Sequence, residues 1–543
     1  MATPVPEATM GEKGSGPPRA PASISNWKLL TSQENITPEI LSHTYAGSGT
    51  QEDPYLVKWL DSDPIDPISY PKWRKWCITL IMAWSTLAIT FASSSLGSAD
   101  PQLEAHFGAS RTLVTADVSL FVLAFAIGVA IWGPCSELYG RQYVFAATFF
   151  GTTVFSGATI ASNSIGTLLV LRFITALLGS SVITNAAGVI GDVWLPHERG
   201  LAGIVYTSAP FLGPTIGPIS CGFLAQNAGW QWVAGLIAFL FGACWLLGLL
   251  LVPETYAPLL LCRRAAKLSA MTGHVYRSHL EAMESPKPAR NIFYTNIIRP
   301  WVFLVRDPIV LVCALYIAII YGTLYLSFAA FPIVFVEKHG WAQGVSGLAF
   351  VGIAVGQILG IAYAVLDTRR YKRIAARSPR GSAQPEAWLA PSCVAAVALP
   401  VGLFWFAWTN GTNIPFIVCL IGIAPFGFGQ VLVFLSITQY LLDAYGIYAA
   451  SALAANAAVR ALFGAAFPLL SGPLYEHLGI HWGASIPGFL TLACLPVPFL
   501  FHRFGHKIRA RCHFSSEAMR VTEELNKKAS FNSDTDETIM REL

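Results

Sequence analysis

Two arginines and one aspartate stand where an ion is hardest to keep. Arg172 lies in LLVLRFITALLGSSVITNAAGVIGDVW and Arg460 in SALAANAAVRALFGAAFPLL, both within long apolar runs. Asp117 is the only carboxylate inside such a run. A guanidinium toward a membrane interior costs roughly 2.5–3.5 kcal/mol on insertion scales, so Arg172 is expected to face a cavity or a partner. The competing expectation is that it snorkels to the outer headgroups from near the end of its run. Asp117 has the same two-way reading. It either carries the proton or sits as a helix-start residue favoured by the positive dipole end.

Other chemistries lack their residues. The ten cysteines are scattered with no CxxC, and the eleven histidines fall mostly in polar segments, so neither type is spaced for a metal. No HExxH and no GxxxxGK[ST] loop occurs, which argues against a membrane metalloprotease and an ATP-driven pump. No enzymatic activity, cofactor or nucleic-acid partner is expected.

The elements that hold these residues follow from composition. Of 543 residues 54% are apolar and 12% charged, against about 25% charged in a soluble protein. Residues 76–252 hold ten charged side chains and residues 309–502 hold thirteen. Each block accommodates six runs of roughly 20 apolar residues, the length that crosses a bilayer core. Spans are expected near 76–96, 112–132, 143–162, 167–190, 201–222 and 230–252, then near 309–334, 344–366, 390–409, 414–436, 448–471 and 482–502. The predicted architecture is an all-α integral membrane protein, six helices plus six. Around it lie a disordered cytoplasmic tail (1–75), a cytoplasmic central linker (253–308) and a cytoplasmic C-terminal tail (503–543). With both ends inside, 31 of the 35 Lys and Arg residues fall on the inner side. The run RRYKRIAARSPR (369–380) reads as a plain inner-side determinant or as a binder of anionic headgroups.

Four motifs then carry a family resemblance. GPCSELYGRQYVF (133–145), between spans two and three, resembles the loop signature G-x-L-x-D-x-x-G-R-[KR] of the major facilitator superfamily. Gly133, Gly140 and Arg141 match and Glu137 takes the acidic position, while Cys135 and Gln142 depart from the pattern. The resemblance implies a cytoplasmic gate in which Glu137 and Arg141 pair. Around Arg172, span four resembles the superfamily's R-x-x-[QA]-G-x-x-G motif, whose arginine is linked to proton coupling, with Thr175 and Ala176 departing and Gly179 kept. APFLGPTIGPISCGF (209–223) resembles the antiporter motif G-x-x-x-G-P-x-x-G-G, with Gly213, Pro214 and Gly217 matching and Pro218 replacing the last glycine. Small residues there permit close helix approach and prolines bend the helix, as a rocking half requires. Finally, PETYAP (253–258), ahead of a basic helix, is similar to the fungal twelve-span drug:proton antiporter family 1. The resemblance covers roughly residues 63–505.

It implies the major facilitator fold, two pseudo-symmetric six-helix halves with a cavity between them lined by spans one, four, seven and ten. Tyr321, Tyr325 and Phe328 share one face of span seven and would suit planar, amphipathic or cationic substrates, or would simply pack. Gln430 and Asn185, polar at membrane depth, either line the cavity or hydrogen-bond a neighbouring helix. The leading expectation is a proton-coupled exporter of small organic molecules (drugs, fungal secondary metabolites or polyamines), acting as a monomer in the plasma membrane or the vacuolar membrane. A same-fold nutrient importer or symporter and a transport-incompetent receptor are the alternatives.

Overall fold

A computed structural model describes residues 26–31, 36–60, 63–195, 198–279, 289–377, 384–411 and 413–521. The first six long helices are α1 (Lys72–Ser95), α2 (Arg111–Tyr139), α3 (Arg141–Thr159), α4 (Ile165–Val193), α5 (Arg199–Ala228) and α6 (Trp230–Leu251). Two shorter helices, α7 (Ala257–Thr272) and α8 (Ala289–Arg306), lead to the second set. That set is α9 (Pro308–Phe331), α10 (Phe350–Arg377), α11 (Ala390–Thr409), α12 (Phe416–Tyr445), α13 (Ala449–Cys494) and α14 (Pro496–Arg509).

Nine helical stretches among the described residues are long and apolar enough to cross a membrane. The last of these, Ala449–Arg509, breaks at Gly479, whose φ of +71° is left-handed. It therefore supplies two antiparallel arms, 449–478 and 480–509, and Tyr475 packs where a Cβ at Gly483 would stand. α3 and α5 complete six helices in the first half, as the two arms do in the second. They are polar enough to escape a hydropathy criterion, α3 through its threonines and α5 through glycine, serine, threonine and three prolines.

Small residues set the helix spacing. In the second half, Gly352, Gly356 and Gly360 form one stripe on α10, and a Cβ at any of them would run into the backbone of α12. In the first half, Gly213 and Gly217 of α5 do the same against α1. The halves meet along two seams, α2 against α13 and α5 against α10. Gly464 sits at the first of them, where a Cβ would come 3.0 Å from both Tyr321 and Val122.

The polar segment before α1 departs from the sequence expectation. Residues 36–60 and 63–75 are folded, not a free tail. β1 (Tyr55–Val57) pairs in parallel with β2 (Tyr276–Ser278) of the linker. Ile40, Tyr45 and Val57 form a small core with Leu261, Ala265 and Leu268 of α7. Beside it Arg264 forks onto Asp63 at 2.5 and 3.2 Å and lies over the Trp59 ring, both ions being buried. Polar composition misled the reading because the few apolar residues of this segment are buried, Ile40, Tyr45 and Val57 against the linker and Ile65 and Tyr70 in the main core. Residues 1–25 and 522–543 lie outside the described residues.

Candidate transport site

Four groups of residues are positioned by this frame. The first lies on the face that carries the linker. Gly140 closes the turn between α2 and α3 with φ +101°, and a Cβ there would overlap the Glu254 carboxylate and meet Leu259. Glu254 accepts four backbone N–H groups: Arg141 and Thr255 on Oε1 (3.0 and 2.9 Å), Tyr256 also on Oε1 (2.9 Å), and Gln142 on Oε2 (3.2 Å). A carboxylate there satisfies the orphan donors at the start of α3 and meets the positive end of its dipole. Arg141 itself donates through Nε to Asp192 Oδ2 (3.2 Å) and through Nη1 to Ser136 Oγ (2.6 Å), with Tyr256 against its guanidinium at 5.1 Å.

The expected Glu137 to Arg141 pair is absent. Glu137 is exposed and makes no ion pair among the described residues. The reason is the turn: Gly140 swings α3 so that Arg141 points to α4, where Gly188 leaves room for the guanidinium. Asn185, Gly188 and Asp192 share that face of α4. Asn185 donates its Nδ2 to the Arg141 carbonyl (3.2 Å), so it belongs to this cluster and not to the cavity wall. Gly133 stays inside α2 and accepts from Ser136 through its carbonyl.

The second group joins two residues that the sequence marked separately. Arg172 Nε and Nη2 donate to Asp117 Oδ1 and Oδ2 at 2.9 and 3.0 Å, and Nη2 also donates to the Ala92 carbonyl (2.9 Å). Phe121 lies 4.3 Å from the guanidinium carbon. Both ions are buried, at 3% and 2% exposure, which rules out snorkelling for Arg172 and solvation for Asp117. Such a bidentate pair is among the stronger charge-assisted contacts.

The third group is the α1–α5 contact. Pro214 and Pro218 lack the N–H that would continue the ladder. The Pro214 carbonyl, left without its helical donor at Pro218, accepts instead from Ser94 Oγ of α1 at 2.7 Å. Thr90 Oγ1 donates to the Ala209 carbonyl at 3.2 Å. Gly213 and Gly217 thus sit inside one half, not between halves as a rocking interface would require. Pro218 alone reaches across, where its carbonyl leaves no room for a Cβ at Gly347.

The fourth group surrounds the space between halves. Thr90, Phe125, Val129, Ile183 and Pro210 line it from the first half, and Tyr321, Ala457, Arg460 and Ala461 from the second. Of the aromatic face on α9, Tyr321 alone lines this cavity. Tyr325 is fully buried and its hydroxyl shares a 2.7 Å bond with Ser93 of the other half. Phe328 packs between Tyr325 and Phe350. Gln430 is also fully buried, outside that lining, and neither of its amide atoms has a partner among the described residues. Arg460, which carried no expected role, is held between the rings of Tyr321 and Phe434 at 5.1 and 5.0 Å. The signal that could have found it is the one that found Arg172, a lone charge in an apolar run.

Hydrogen bonds between the halves follow a gradient. Gln357 donates to Phe211 O (3.2 Å) and Thr215 Oγ1 (2.8 Å) at mid-depth. Toward the face opposite the linker, Gln343 donates to Ser98 O, the Gly344 N–H to Gln226 Oε1 (2.8 Å), and Arg111 to Glu337 (2.9 Å). Among the described residues the linker face has no such bond between the halves. One end is latched and the other is not.

Residues 82–468 match the family model described as Major Facilitator Superfamily. The chain belongs to that superfamily. It is 46% identical over 516 residues to the MFS-type efflux pump MFS2 of Trichophyton rubrum, covering 95% of this transporter and 87% of that protein. It is 47% identical over 512 residues to the multidrug transporter mdrA of Aspergillus fumigatus, covering 94% and 84%. The solved structure of the proton:xylose symporter XylE superposes with a TM-score of 0.57 at 16% identity, covering 80% of this transporter and 96% of that chain. That likeness shows the fold, an all-helical major facilitator bundle in two halves, and the family model and these relatives make the chain a multi-pass membrane transporter.

Proposed function

We propose that the transporter exports small organic molecules in exchange for protons, as a monomer in the plasma membrane with the linker face and both chain ends cytoplasmic. The observation that carries this reading is the Arg172–Asp117 pair. A carboxylate that gains a proton no longer holds its guanidinium partner as an ion, so proton entry at Asp117 frees Arg172 and changes how α2 and α4 are joined. Proton release restores the pair. The linker-face cluster of Arg141, Asp192 and Glu254 fixes the ends of α2, α3 and α4, so this change is passed to the end where the halves part. Efflux-pump and multidrug-transporter names among the relatives support the outward direction.

The test is accumulation of fluorescent lipophilic probes, one cationic, one neutral and one anionic, in yeast expressing the transporter or an empty vector. Lower accumulation of at least one probe, abolished by a protonophore, is the expected result. Higher accumulation than in control cells would identify an importer, and a difference insensitive to the protonophore would remove the proton from the cycle.

A further inference from the structure

Arg460 differs from three other buried arginines of this chain. Arg172, Arg264 and Arg509 each fork onto a carboxylate, Asp117, Asp63 and Glu386 respectively. Arg460 is also buried, at 9% exposure, yet makes neither an ion pair nor a hydrogen bond among the described residues. The rings of Tyr321 and Phe434 lie against its guanidinium and stabilise the cation through their π faces, which leaves its five N–H donors unused. Arg460 lines the cavity between the halves, no carboxylate shares that lining, and the facing wall is mostly apolar, with Phe125, Val129, Ile183 and Pro210 beside Thr90.

We propose that Arg460 recognises the anionic head of the transported molecule, so that the substrates are small lipophilic acids and not cationic drugs or polyamines. This assignment rests on the export reading above. The planar guanidinium fork matches a carboxylate in two parallel hydrogen bonds, a match an ammonium or a neutral amide cannot make. The apolar wall takes the body of the molecule. A fixed positive charge in a cavity of low dielectric repels a cationic ligand at the same place. Occluding the cavity is also costly while its cation is unpaired, so the bound acid lowers the cost of closure and couples loading to the conformational step.

The experiment uses the full-length purified transporter and three probes on one aromatic scaffold: naphthaleneacetate, naphthaleneacetamide and naphthylethylamine. Their affinities are measured by calorimetry for the wild type, Arg460→Gln and Arg460→Lys. The wild type is expected to bind the acetate at least about tenfold more tightly than the amide, the step that one charge-assisted bond supplies, with the amine weakest. Arg460→Gln brings the acetate-to-amide ratio to about one, and Arg460→Lys retains part of it. Equal affinity for acetate and amide in the wild type, no binding of acetate, tightest binding of the amine, or an unchanged ratio in Arg460→Gln would each overturn the assignment. The wild-type comparison stands even if a variant fails to fold. Loss of the acetate preference with protonophore-sensitive export intact overturns this assignment alone, while an intact preference without export overturns the export reading alone.

Discussion

Arg172 and Arg460 are the same residue solved in two opposite ways. In the first half, the guanidinium is closed off by Asp117, the Ala92 carbonyl and the Phe121 ring. In the second, it is held by two aromatic faces and left without an ion of opposite sign. A charge neutralised inside the protein is a structural bond that a proton can open. A charge left open on the cavity has to be neutralised from outside the chain. On the function and the ligand assignment proposed above, the two halves do different work, proton handling in one and ligand recognition in the other.

The contrast breaks most visibly in stability. Asp117→Asn or Arg172→Ala leaves a buried ion without its partner, and each is expected to lower unfolding stability by about 3–5 kcal/mol. Both should abolish protonophore-sensitive export. The double variant, Asp117→Asn with Arg172→Ala, removes both ions and should recover part of the stability but none of the coupling. Thermal unfolding of the four proteins in a double-mutant cycle measures this. A cycle with no interaction energy would show that the pair is not a bond.

Next in size is the linker-face cluster, where a paired charge meets backbone donors. Glu254→Gln keeps the shape but loses the charge that holds four N–H groups, a change expected to cost about 1–3 kcal/mol. Gly140→Ala is strained twice, by its positive φ and by the Glu254 carboxylate in the way. Both variants should unfold at lower temperature and export more slowly.

Arg460→Gln sharpens the comparison from the other side. No carboxylate is orphaned by that substitution, so its unfolding temperature should stay close to that of the wild type while ligand preference is lost. A destabilisation as large as that of Arg172→Ala would show a hidden partner and remove the distinction between the halves. Smallest of all is Glu137→Ala. An exposed side chain with no ion pair should change stability within about 0.5 kcal/mol and leave export near normal, whereas Arg141→Ala should impair it.

Much of this was legible in the sequence, for identifiable reasons. Apolar runs of bilayer length are local signals, and all twelve expected spans fall on long helices, with α3 and α5 the weakest in hydropathy. Asp117 and Arg172 were visible because a membrane makes any charge expensive, although their pairing, 55 residues apart, was not. The partner of Arg141 was misread because the motif places Glu137 four residues away, on the same turn. The carboxylates it needs come from α4 and from the residues before α7, and only the fold brings them together. Glu254 was read as a family signature because its ligands are backbone N–H groups, which leave no mark in composition.

The buried bond between Asp63 and Arg264 also bears on how the chain is made. Its partners are 201 residues apart, and six membrane helices lie between them. At synthesis rates of about 5–20 residues per second, Asp63 waits roughly 10–40 s before Arg264 exists. The segment around β1 therefore stays undocked until the first half has been translated and the linker strand β2 follows it. Its docking marks the completion of that half before the second begins to insert. A protease pulse during synthesis should cut between residues 36 and 71 early and spare that stretch once the linker has emerged.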